Sequence, residues 1–216
     1  MLVKTEGKYG VTTEQAGFTV LELMVATTIF AIVLLVLTVG VLSFSRDYFS
    51  SVTRSNTQTA ARGIIDDVAR SIQFAGSASP GPTVGNTKSW CIDSVQYLYT
   101  IGYEVSDVTD LAKHRSKYGL IKKVGGGGCG GVDITSSYSL TAQDKELLAK
   151  NMRLSDLDIQ KSNNTYTIRV RVAYGDDDVL GVTSSTVWNT IACKSGAGSQ
   201  FCAISDLTTT VEQRIR

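Results

Sequence analysis

This chain has almost no histidine and almost no proline. The lone His114 excludes most histidine-dependent catalytic triads and multi-histidine metal sites, leaving carboxylate chemistry, for which no pair is marked. No nucleophile elbow, H-E-x-x-H pair or spaced triad occurs. The expectation is a chain that is not an enzyme, with no catalytic residue, no metal site and no cofactor. The two prolines, Pro80 and Pro82, lie where a long helix would stop. Charge of one sign is also lacking: Lys and Arg number 21 against 20 Asp and Glu, so global charge argues neither for nor against nucleic acid. The glycine run Gly125–Gly131 lacks the G-K-[ST] ending of a phosphate loop.

Charge is scarcest between Phe18 and Leu42, which reads FTVLELMVATTIFAIVLLVLTVGVL. As a helix this run extends roughly 37 Å, more than the ~30 Å of a bilayer core. Its one charge is Glu22. A charge inside such a run costs on the order of 2.5–3.5 kcal/mol by insertion scales, so it needs a reason to be there. An interfacial accident in a signal-anchor helix is one reading. The neighbours Gly17, Phe18, Thr19, Val20 and Leu21 give another.

Gly17, Phe18 and Glu22 resemble, residue by residue, the type IV pilin and pseudopilin family. Its precursors carry a polar leader ending in Gly, then Phe, then an apolar helix with Glu at the fifth mature position. The resemblance implies cleavage between Gly17 and Phe18 by a prepilin peptidase and methylation of the new Phe18 amine. It also implies assembly through Phe18 and Glu22. A Glu22 carboxylate near the positive helix end is favourable, and it can pair with a Phe18 amine, its own or that of a subunit already in a filament, whereas an unpaired carboxylate in low dielectric is penalised. Residues 1–17 are then a leader in a precursor. A removable secretory signal differs, because its cut follows the apolar region. Many major pilins carry a proline within the span; this chain has none, which puts the same local melting in doubt, although Gly40 is a soft point.

Residues 43–76 continue the helix. Ala61, Ile64, Ile65, Val68 and Ile72 share one face at helical spacing, and Arg62, Asp66 and Arg70 lie on another. Gly76 and Pro80 supply the stop. The stretch SSVTRSNTQT holds poor helix formers and marks a place to bend. Residues 80–216 read as a globular β-rich domain. Strands are expected at Val95–Ile101, Gly119–Val124 and Leu207–Ile215, with a hairpin from Leu154–Ile159 and Thr165–Tyr174, whose Tyr166, Ile168, Val170, Val172 and Tyr174 share a face. Thr141–Lys150 reads as a short helix with Thr141 as N-cap and Asp144 three residues on. The fold class is α+β: a long helix packed against a C-terminal antiparallel sheet, as in the pilin fold. The pattern beyond the N-terminus resembles the larger minor pilins and minor pseudopilins.

Four cysteines, Cys91, Cys129, Cys193 and Cys202, would face an oxidising compartment. They allow three pairings; Cys193–Cys202 and Cys91–Cys129 are favoured, with a zinc site as the alternative. Asp176, Asp177 and Asp178 lack the spacing of a calcium loop and read as a solvated acidic turn. Lys113, His114, Arg115, Lys117, Lys122 and Lys123, with Tyr118, form the one basic concentration. They read as a solvated loop and strand edge, with DNA binding as the competing use.

The reading is a structural subunit, of the minor type, of a pilus, secretion or competence filament. Its partners would be other pilin subunits, prepilin peptidase, an inner-membrane assembly platform and, before assembly, membrane lipid; nucleic acid is a lesser candidate. It would be a single-pass membrane protein first and part of an extracellular filament afterwards. An adhesin or DNA receptor on the same scaffold, and an unprocessed bitopic membrane protein, are the alternatives.

Overall fold

The computed structural model describes residues 17–125, 128–136, 138–181 and 190–214. The leader before Gly17 therefore lies outside the described residues, as do parts of the glycine run and Ile215. The chain divides into two compact units, Met1–Ser45 and Arg46–Arg216. Helix α1, Val20–Phe74, contributes to both. It stays helical through the SSVTRSNTQT stretch. Thr53 and Thr57 are buried there, and the Thr57 hydroxyl donates to the Thr53 carbonyl at 2.8 Å, so poor helix formers are retained by packing.

Among the described residues twelve strands follow α1: β1 Ala78–Pro80, β2 Thr87–Ile92, β3 Val95–Thr100, β4 Glu104–Val105, β5 Arg115–Ser116, β6 Leu120–Val124, β7 Asp144–Glu146, β8 Met152–Ser162, β9 Thr165–Tyr174, β10 Leu180–Gly181, β11 Ala192–Cys193 and β12 Ala203–Glu212. Instead of the single sheet expected, they form two five-stranded sheets, ordered β1-β2-β3-β6-β7 and β12-β9-β8-β4-β5, plus the ribbon β10-β11. All pairings are antiparallel except β4 with β5. This is an α+β arrangement, a long helix against antiparallel-rich sheets, consistent with the pilin fold.

Ala61, Ile64, Ile65, Val68 and Ile72 of α1 are buried in one core. The core draws Tyr97 and Leu120 from the first sheet and Leu154, Ile168, Val170 and Val172 from the second. Each large aliphatic side chain so placed stabilises by ~1.5–3 kcal/mol. In β9, Tyr166, Ile168, Val170 and Val172 are fully buried while Tyr174 is half-buried. β8 cannot keep strict alternation, because Leu154 would then share its face with Asp156 and Asp158. A bulge between Leu154 and Asp156 changes the parity, and Leu157 and Ile159 join Leu154 in the core. The turn to β9 is two residues, with Asn163 left-handed at φ 55°, a conformation asparagine tolerates.

The expected helix Thr141–Lys150 is absent. Asp144 still accepts from the Thr141 N–H at 2.8 Å, as a capping side chain would, but a turn and the short strand β7 follow. Tertiary contacts override propensity here. The Glu146 carboxylate accepts the N–H groups of Gly119, Leu120 and Leu148, each at 3.0 Å. The Leu147 N–H donates to the Leu120 carbonyl, and Leu148 enters the core.

Two polar networks fix the second unit. Asp67, next to the buried Val68, accepts the Tyr97 hydroxyl at 2.7 Å and the Lys122 ammonium at 2.8 Å. Burial raises the Tyr97 phenol well above its ordinary range, so it stays a donor. Arg153 of β8 is fully buried. It donates to Glu104 at 3.2 Å, the Gly175 carbonyl at 3.1 Å and Asp177 at 2.7 Å. Burial pushes the Glu104 carboxyl up, against the opposing pull of Arg153 and then Arg115. The charged face Arg62, Asp66, Arg70 is exposed, and no ion pair joins its members among the described residues.

Disulfides join Cys91 to Cys129 and Cys193 to Cys202, with Cα–Cα distances of 5.9 and 5.7 Å. The sequence separations are 38 and 9 residues, and loop-closure entropy favours the longer bridge. Removing Cys91–Cys129 by paired serine substitution should lower stability by about 4 kcal/mol, and removing Cys193–Cys202 by about 3 kcal/mol. Denaturant melts of the full chain in micelles give both values; equal losses, or the reverse order, would contradict the entropic account.

Burial raises the Glu146 carboxyl to about 7, although its backbone N–H donors pull the other way. Its folded value thus exceeds its unfolded one, and the native state holds the proton longer as pH rises. Stability should therefore fall between the unfolded value near 4.5 and pH 7. Glu146→Gln should remove this slope while lowering stability uniformly. A melt series in which the variant keeps the wild-type slope would assign it elsewhere.

Candidate assembly site

Glu22 sits in the first turn of α1. Thr19 precedes the helix and acts as its N-cap: its side-chain oxygen accepts the Glu22 N–H at 3.2 Å, and its carbonyl accepts the Leu23 N–H at 3.2 Å. Sequence reasoning missed this cap. The signal was present as Thr19, then Glu22 three residues later, opening an apolar run. The cap orders the turn that carries the carboxylate, and the helix N-terminus favours its charge.

The rest of the span shows why Glu22 is singular. Thr27 donates to the Leu23 and Met24 carbonyls at 3.0 Å, Thr28 to Met24 at 2.7 Å and Thr38 to Leu34 at 2.8 Å. Each threonine hydroxyl is thereby satisfied inside the helix. The Glu22 carboxylate alone in this span has no partner among the described residues. Around it the large apolar side chains are exposed, from Phe18 at 79% to Leu42 at 55%. Within the described residues α1 is the one helix long and apolar enough to cross a membrane. Gly17 and Phe18 lie outside regular structure immediately before the cap, with open space around Gly17.

The other singled-out residues are elsewhere. Lys122 pairs with Asp67 at 2.8 Å, Arg115 with Glu104 at 3.5 Å and Lys113 with Asp110 at 3.9 Å. His114 is left-handed at φ 49° and packs its ring on Tyr103. Tyr118 meets Tyr138 edge-on. These ion pairs and ring contacts occupy several members of the basic concentration, and Lys117 remains exposed. In the acidic turn Asp177 is not simply solvated, because it reaches the buried Arg153. Among the described residues no group of three His, Cys, Asp or Glu could hold a metal.

Thr19→Ala should release the first turn. Losing such a cap costs about 1 kcal/mol, so the Glu22 amide should exchange about fivefold faster. Hydrogen exchange of the full chain in micelles measures this; unchanged exchange would show that the cap is not what orders Glu22.

A family model described as the prokaryotic N-terminal methylation motif matches residues 13–38. No match was found among curated proteins or among solved structures. The matched segment contains Gly17, Phe18, Thr19 and Glu22 together with most of the exposed apolar span. That motif is the prepilin-type signal of the type IV pilin and pseudopilin family, and this chain carries it over those residues.

Proposed function

We propose that this chain is a non-catalytic structural subunit, of the minor kind, in a type IV pilus or a related secretion or competence filament. Prepilin peptidase removes the leader between Gly17 and Phe18, and the Phe18 amine is methylated. The apolar half of α1 holds the subunit in lipid until an inner-membrane assembly platform transfers it among other pilin subunits. The globular unit is then displayed on an extracellular filament.

The observation that carries this reading is the Glu22 carboxylate, which has no partner among the described residues, in a span whose other polar side chains are satisfied. Glu22 has use for a cation, and the cleaved Phe18 end of a neighbouring subunit supplies one. In low dielectric the attraction is large and the isolated charge is penalised. The pair therefore sets the register of packed helices, while the exposed apolar residues provide the contact area.

Mass spectrometry of the protein from its native membrane tests the processing step. The expected N-terminus is Phe18 carrying one methyl group. An intact Met1 would support an unprocessed bitopic protein instead.

A further inference from the structure

The second unit has a groove between the polar part of α1 and the loop closed by Cys193–Cys202. Its volume is about 930 Å³. Arg46, Ser50, Arg54 and Gln58 line one wall at four-residue intervals, so they form a single helical stripe. Arg171 lines it from β9, where it donates to the Ile191 carbonyl at 2.7 Å and lies 3.8 Å from Asp206. Arg46 and Arg54 are exposed and have no ion-pair or hydrogen-bond partner among the described residues. Asp47 is the acidic member of the lining.

Across the same disulfide loop lies the acidic turn. Gly198 borders both the basic groove and the depression lined by Asp176 and Asp178. Asp177 is tied down by Arg153 at 2.7 Å. Lys194 donates to the carbonyls of Asp177 and Asp178 at 3.1 and 2.9 Å. Both contacts hold the turn in place without occupying the carboxylates of Asp176 and Asp178. Those two are exposed and have no partner among the described residues.

We propose that the groove of one subunit receives the Asp176–Asp178 turn of a second copy of this chain, with Arg46 and Arg54 facing Asp176 and Asp178. The surfaces are different patches of one chain, so a copy can give its turn to one neighbour and receive the turn of another, and repeating that head-to-tail contact gives a line of subunits. It is compatible with the filament reading, on which it rests, wherever two copies of this chain are neighbours. Charge complementarity of this kind sets register and partner choice more than affinity. Because the groove is open to solvent, the contact weakens as salt rises.

The test uses the full chain in detergent micelles, with donor- and acceptor-labelled populations read by energy transfer at low salt. Two variants are compared, Arg46→Glu/Arg54→Glu and Asp176→Lys/Asp178→Lys. Each alone should lose association by at least about tenfold, since like charges then face each other. Mixing the two should restore it to within about twofold of wild type, because each reversed patch then finds an opposite partner. Wild-type association by either variant alone would overturn the proposal, as would a mixture that stays apart. So would saturable binding of inorganic phosphate that depends on Arg46 and Arg54 while association is unchanged; the groove would then be an anion site. Circular dichroism confirms that the variants fold. The readout does not depend on processing at Phe18, so failure here leaves the filament reading standing, and an uncleaved protein that passes would show the contact without the filament.

Discussion

Burial of the Ala61–Ile72 stripe is the contact on which the second unit depends. Neither sheet closes on itself, and both lay apolar residues against this one helical face. Asp67 then fixes which way the helix is turned. Its carboxylate sits one residue from Val68, so the bonds to Tyr97 and Lys122 form only when the stripe points inward. Apolar burial supplies the stability and the polar network supplies the orientation, a division expected where a buried polar group is satisfied only in one geometry.

In the first unit the physical situation is reversed. Among the described residues the large apolar side chains from Phe18 to Leu42 are exposed, and the threonines turn their hydroxyls back onto the helix. Glu22 is left as a single charge on an apolar rod. A soluble protein would gain nothing from such a segment. A protein that passes from lipid into a bundle of like helices gains a stable state in each medium, and Glu22 distinguishes the two. On the proposed function it is a liability in hydrocarbon and an attachment point beside an amine.

Much of this was legible in the sequence, for reasons that differ from element to element. The helix was readable because length and apolarity mark its first half and the 61-64-65-68-72 spacing marks its second. β9 was readable because Tyr166, Ile168, Val170 and Val172 alternate without interruption. β8 was half readable: its bulge hides the alternation, since a parity change looks like polar residues at core positions. The helix expected at Thr141–Lys150 failed because its local propensity was real but Glu146 found the backbone donors of Gly119 and Leu120, distant along the chain, besides that of nearby Leu148, and no local pattern announces the distant pair. Arg153 was invisible for the same reason, as its partners Glu104 and Asp177 lie far from it along the chain. At the assembly site, Gly17, Phe18 and Glu22 stood out by identity and spacing, while the Thr19 cap was present in the same letters and was overlooked.

On the proposed function, the Glu22 charge acts between subunits and not in folding or cleavage. Glu22→Ala separates these roles when leader removal and filament incorporation are measured on the same cells. The account predicts normal cleavage at Gly17–Phe18 with poor incorporation of the variant into filaments. Normal incorporation of Glu22→Ala would contradict it.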